Sequence, residues 1–172
     1  MTTHPLRMEA EYLKLRTRHP FIIARGGQSD YRTVWVRLRD GDGHEGWGEA
    51  AATKYYGETP ESVLSALDLY ATALPSDPFD IEETERRWAA LLRGNPAARA
   101  ALSSALHDLV GKRLGVPVYR LWGLDPAKAP RSTFTIGLDT PEKIRAKVLE
   151  AGQYPILKIK LGTDRDVEIL RT

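Results

Sequence analysis

The stretch Pro155-Ile156-Leu157-Lys158-Ile159-Lys160-Leu161-Gly162 decides the fold of this chain. Side chains alternate across a β-strand, so Lys158 and Lys160 leave one face while Leu157, Ile159 and Leu161 leave the other. If the lysine face lines a closed pocket, crowding two ammonium groups there disfavours the doubly protonated pair and frees one amine to act as a base. The same alternation also describes a half-exposed strand with a solvated face.

Working backward, Thr140-Pro141 caps a helix whose apolar face is Ile144, Val148 and Leu149 and which ends at Gly152; Ser132 to Leu138 reads as a strand. Forward, Thr163 begins another helix. The order β-α-β-α is the repeat of a parallel sheet or barrel. Two strands and fewer than two helices cannot bury both faces of such a sheet, and a closed eight-fold barrel needs about 250 residues. The expectation is the front portion of a longer protein, or a chain whose missing strands come from elsewhere.

The preceding part has another rhythm. Leu6 to Leu15, Arg32 to Arg39 and Gly46 to Ala51 predict a three-stranded antiparallel meander, with Val34, Val36 and Leu38 on one face and Asp40-Gly41-Asp42-Gly43 as a hairpin turn. Arg18 to Asp30 reads as a long loop. Thr59-Pro60 starts a helix with Val63, Leu64, Leu67, Tyr70 and Ala71 on one face. Asp80 with Glu83 forms a capping box for a second, which stops at Gly94. Asn95-Pro96 opens a third, with Ala101, Leu102, Ala105, Leu106, Leu109 and Val110, closed by Gly115. Strands followed by helices imply an α+β domain. The fold class is thus an α+β capping domain over residues 1–128, followed over 129–172 by the start of a (β/α) TIM-type barrel, truncated after the second strand.

Composition excludes several function classes. The 172 residues are 42% hydrophobic, and 25 basic against 23 acidic residues give a net charge of +2. That balance offers no electrostatic argument for nucleic acid or an anionic membrane as partner. Cysteine is absent, which rules out disulfides and thiolate metal sites. No signal-peptide core and no run of about 18 apolar residues is present, so a soluble, cytoplasmic protein is expected.

The motifs Pro20-Phe21-Ile22-Ile23-Ala24-Arg25-Gly26, Gly46-Trp47-Gly48-Glu49-Ala50, Tyr56-Gly57-Glu58-Thr59, Thr135 and Leu157-Lys158-Ile159-Lys160-Leu161-Gly162 occur in order. In these the chain resembles the enolase superfamily, in its muconate-lactonizing and mandelate-racemase-type branch, and within it the dipeptide epimerases that act on L-alanyl-glutamate. The resemblance implies an isomerase that removes the proton α to a carboxylate, holds the enediolate on Mg²⁺ and returns a proton from the opposite face. Lys160 matches the acid/base lysine and Lys158 its electrostatic partner. Arg25 matches the residue that pairs with the substrate carboxylate, Thr135 a substrate-facing hydroxyl, and Tyr55, with Tyr56, part of a second lid element.

The family's carboxylate metal ligands and second base lie beyond Thr172, so no metal ligand is expected in this chain, and by itself it should be inactive. A dipeptide is the implied small-molecule partner, and a homo-oligomer the implied state of the full-length protein. Cycloisomerase, o-succinylbenzoate synthase and N-acylamino-acid racemase share the lysine motif and remain alternatives. So does a non-catalytic fragment that associates with another chain through exposed strand edges.

Gly46-Trp47-Gly48-Glu49-Ala50-Ala51 also satisfies a dinucleotide fingerprint, but it ends an antiparallel hairpin and no helix follows at once to receive a pyrophosphate. Close backbone approach near a lid explains its glycines better. His4, His19, His44 and His107 lack metal-ligand spacing, and His107 reads as a hydrogen-bonded structural histidine. Trp47 and Trp122 read as packing residues.

Overall fold

The computed structural model describes residues 6–171. The chain divides into two compact units. One comprises Arg32–Pro126 with the segment before Leu15; the other comprises Leu15–Tyr31 with the segment from Ala127 onward. The second unit therefore takes in part of the first hairpin.

Strands β1 (Arg7–Ile23), β2 (Gly26–Arg39) and β3 (Glu45–Ala50) form a sheet in the order β1-β2-β3, and the first unit holds β3 with the parts of β1 and β2 outside residues 15–31. Val34, Val36 and Leu38 are fully buried, while Trp35 and Arg37 between them keep partial exposure, as period-two alternation dictates. β2 and β3 pair antiparallel with Val34 opposite Ala50 and Leu38 opposite Gly46.

Helices α1 (Pro60–Ala71), α2 (Ile81–Leu91) and α3 (Pro96–Leu114) cover the sheet's apolar face, and the short α4 (Val118–Leu121) follows. One core joins Val34, Val36 and Leu38 to Val63, Leu67 and Tyr70 of α1, Trp88 of α2, and Leu102, Leu106 and Leu109 of α3. The glycines of the Gly-Trp-Gly motif let β3 lie directly on α3. A Cβ at Gly46 would overlap the carbonyl of Ala105, and one at Gly48 the carbonyl of Ala101. Trp47 between them points outward and stacks on Trp35 at 4.7 Å.

Helix ends follow the sequence in part. Thr59 closes a capping box, accepting from the Ser62 amide at 3.1 Å while the Thr59 amide donates to the Ser62 hydroxyl at 2.9 Å. Asp80 makes no side-chain cap, so the box expected with Glu83 is absent; Asp80 sits at φ −80°, ψ 55°, away from the extended backbone that turns a cap side chain toward the first amides. At α3 the cap comes from afar: the buried Glu58 carboxylate accepts from the Ala97 amide at 3.0 Å.

The loop expected over Arg18 to Asp30 is instead the distal half of a long β-ribbon, with Ala24 and Arg25 in its turn and Gly26 at φ +103°. Thr17 bonds the Ser29 carbonyl and Arg16 pairs with Asp30 across the strands. Both faces of this segment are largely exposed, so no burial imposes the alternation by which a strand is recognised.

In the second unit β4 (Thr133–Ile136) and β5 (Ile156–Ile159) are parallel, linked by α5 (Pro141–Glu150), with α6 (Asp166–Arg171) after them. Ile136, Ile144 and Ile169 form the core, with Phe134, Val148, Leu157 and Ile159 packed on it. The strand motif is shorter than the alternation suggests. Lys160 lies just past the end of β5, tied to β4 by its amide bond to the Ile136 carbonyl at 2.9 Å.

Candidate functional site

Parallel pairing of β4 and β5 sets Thr135 opposite Lys158 and Ile136 opposite Ile159. Because Ile136 and Ile159 face the helices, Thr135 and Lys158 leave the other face of the sheet, and alternation carries Lys160 to that side too. Lys158 is exposed and Lys160 half-buried. Just beyond, Asp166 accepts from the Gly162 amide and the Thr163 amide, each at 2.9 Å, and these amides hold its carboxyl below the usual carboxylate range. The turn after Lys160 is thereby fixed.

Arg25 belongs to the same unit, and its hairpin turn is seated at the end of β4 and β5 where the lysines stand. The Leu138 amide donates to the Ile22 carbonyl at 2.8 Å. Gly137 lets the ribbon approach so closely that a Cβ there would stand 2.9 Å from the Ile22 backbone nitrogen and oxygen. A Cβ at Gly162, two residues beyond Lys160 and at φ +131°, would meet the Ala24 Cβ at 3.0 Å. Thr135, Lys158, Lys160 and the turn bearing Arg25 thus share one end of one unit. No local pattern marks these glycine contacts: by sequence Gly162 ends a strand and Gly137 sits within one.

Tyr55 belongs to the other unit. It lies in a 3₁₀ turn, Lys54–Tyr56, is 64% exposed, and meets Tyr56 edge-on at 4.9 Å. His107 bonds within its own helix, with Nδ1 2.8 Å from the Ser103 carbonyl, and its ring stands edge-on to Trp122.

Among the described residues one group has the ligand atoms for a cation: Asp40, Asp42 and His44. It does not fit Mg²⁺. Asp40 Oδ1 already accepts from the amides of Asp42 at 3.0 Å and His44 at 2.9 Å, and Arg113 pairs with Asp40 at 2.8 Å and Asp42 at 3.3 Å. A guanidinium supplies the positive charge, and an imidazole is a poor third ligand for a hard, oxygen-seeking ion. Burial raises the Asp40 carboxyl, but the His44 amide, Arg113 and the Asp42 amide outweigh it and hold it below its ordinary value. The group is a hairpin turn locked by an ion pair.

Known proteins resemble this chain in sequence and in fold. The L-Ala-D/L-Glu epimerase of Bacteroides thetaiotaomicron is 44% identical over 160 residues, covering 92% of this chain and 42% of that protein. A hydrophobic dipeptide epimerase of Citrifermentans bemidjiense is 35% identical over 160 residues, covering 88% and 44%. Among solved structures, the dipeptide epimerase from Cytophaga hutchinsonii complexed with Mg and the dipeptide D-Ala-L-Val superimposes with a TM-score of 0.86 at 26% identity, covering 97% of this chain and 47% of that one. The 2-chloromuconate cycloisomerase from Rhodococcus opacus gives 0.88 at 27%, covering 98% and 50%. The chain spans about half the length of the curated relatives it matches. Residues 8–123 match the description "Mandelate racemase / muconate lactonizing enzyme, N-terminal domain". Capping sheet, helices and the first β/α units together make the chain a member of the mandelate racemase / muconate lactonizing enzyme family of the enolase superfamily.

Proposed function

We propose that the full-length protein is a Mg²⁺-dependent dipeptide epimerase of the L-Ala-Glu type, and that this chain contributes its acid/base lysine and its carboxylate anchor. What carries the reading is the seating of the Arg25 turn on Gly137, Leu138 and Gly162, at the strand ends that bear Lys158 and Lys160. The relatives' names supply the substrate class.

In this reading Lys160 Nζ takes the proton from the substrate α-carbon on one face, and the electron pair left behind passes into the adjacent carboxylate. Lys158, on the same side, offsets the negative charge that develops there. Arg25 holds a substrate carboxylate by paired N–H donors, and the Thr135 hydroxyl lies on the same face of the sheet as Lys158. Return of a proton from the opposite face inverts the centre. That second base, and the metal ligands, are proposed to come from residues outside this sequence.

The test is α-proton exchange and epimerisation of L-Ala-L-Glu by the full-length protein in deuterated water. Lys160→Ala is expected to lower kcat by ~10²–10⁴-fold, the range of a lost general base. Arg25→Ala is expected to act chiefly through KM. Preference for muconate or an N-acyl amino acid over the dipeptide would remove the reading.

A further inference from the structure

The outer part of the first hairpin, residues 15–31, is a two-stranded ribbon, and such ribbons are marginal in water unless something holds them. Its turn is positioned by backbone contacts at Gly137, Leu138 and Gly162. A side-chain contact acts further back along the ribbon. Glu150, the last residue of α5, receives Arg18 Nη1 on Oε1 at 2.6 Å and lies with Oε2 2.8 Å from His19 Nε2. Two adjacent residues of β1 thus converge on the two oxygens of one carboxylate, which limits rotation of the ribbon about its backbone contact at Ile22.

We infer that Glu150 is a positioning residue: by clasping Arg18 and His19 it fixes the ribbon, and through the ribbon the turn bearing Arg25, over the lysine-bearing strand ends. The clasp rests on the structure alone; its effect on catalysis rests on the dipeptide reading above. Arg18, His19 and Glu150 each act through the orientation of Arg25.

One surface ion pair and one surface hydrogen bond are individually weak, so their loss should loosen the ribbon without unfolding the unit. Amide hydrogen exchange of the full chain reads this directly. Glu150→Gln is expected to speed exchange roughly 3–10-fold over residues 18–26, leaving α1 and α3 unchanged. Glu150→Asp should retain most of the protection. Arg18→Ala should add little exchange in the Glu150→Gln background, because both remove the same contact. Unchanged exchange over 18–26 in Glu150→Gln overturns the clasp, and so does an equal rise throughout the chain, which would mark a general loss of stability.

The kinetic arm is separate. In the full-length enzyme Glu150→Gln should raise KM for L-Ala-L-Glu several-fold with kcat nearly unchanged, and Glu150→Asp should restore it. Local loosening in a protein inactive toward dipeptides would leave the clasp standing and remove the substrate reading. Local loosening with KM unmoved in an active enzyme would overturn the link to Arg25.

Discussion

Gly48→Ala places one methyl group where the structure has no room for it, and the cost follows from what surrounds it. On β3 Gly48 pairs with Val36 and faces α3, where a Cβ would overlap the Ala101 carbonyl oxygen and stand 2.8 Å from its carbon and 3.1 Å from the Ala105 nitrogen. The obstacle is helix backbone, which cannot swing aside as a side chain can. Relief requires α3 to move away from the sheet as a body, and α3 also carries the buried Leu102, Leu106 and Leu109. Overpacking of this kind costs about 1–3 kcal/mol, and the rigid neighbour puts Gly48→Ala at ~3 kcal/mol. For a unit of this size that is a fall in melting temperature on the order of 10–20 °C.

Gly43→Ala is the control. Gly43 has φ +90° and nothing within 4 Å of a Cβ, so its cost is backbone strain alone, ~1–2 kcal/mol. Thermal and urea unfolding of both variants decide the matter. A Gly48→Ala protein melting within ~2 °C of wild type, or one more stable than Gly43→Ala, would refute the claim that close backbone approach explains the motif.

Asp40 and Asp139 are both held below their ordinary carboxylate values. At Asp139 burial raises the carboxyl and is outweighed by the buried Lys147 at 2.9 Å, the Thr140 amide and Lys143. A depressed folded-state value means stabilisation that is complete above the unfolded value of about 3.9 and lost as pH falls through the folded one. Acid unfolding should therefore steepen below about pH 4, and Asp40→Asn should flatten that slope while lowering stability at neutral pH. Lys147→Met, which leaves Asp139 without its closest cation, should cost about 3 kcal/mol by chemical denaturation. Trp88 is 1% exposed and its indole N–H has no acceptor among the described residues. Trp88→Phe should accordingly cost ~1 kcal/mol or less against ~3–5 kcal/mol for Trp88→Ala, and equal costs would reveal a hydrogen bond.

Local periodicity and capping make much of this protein legible in its sequence. The alternation of Val34, Val36 and Leu38, the face from Ala101 to Val110 and the Thr59-Pro60 start are short-range patterns, and each survives in the fold because burial selects the same face that the period marks. The order of motifs from Arg25 to Lys160 likewise points to the family that residues 8–123 match. The ribbon over residues 15–31 is illegible for the opposite reason: with both faces exposed, nothing in its sequence has to alternate.

Other features are properties of pairs distant along the chain. Glu58 caps α3 across 39 residues, Arg113 locks a turn 73 residues earlier, and Glu150 reaches His19 across 131. A carboxylate carries no local mark of the amide or guanidinium it will meet. What the sequence by itself determined was most of the elements and the faces they bury. Which glycine admits which backbone, and which ion pair steadies which turn, was decided only when tertiary packing brought separate segments within bonding distance.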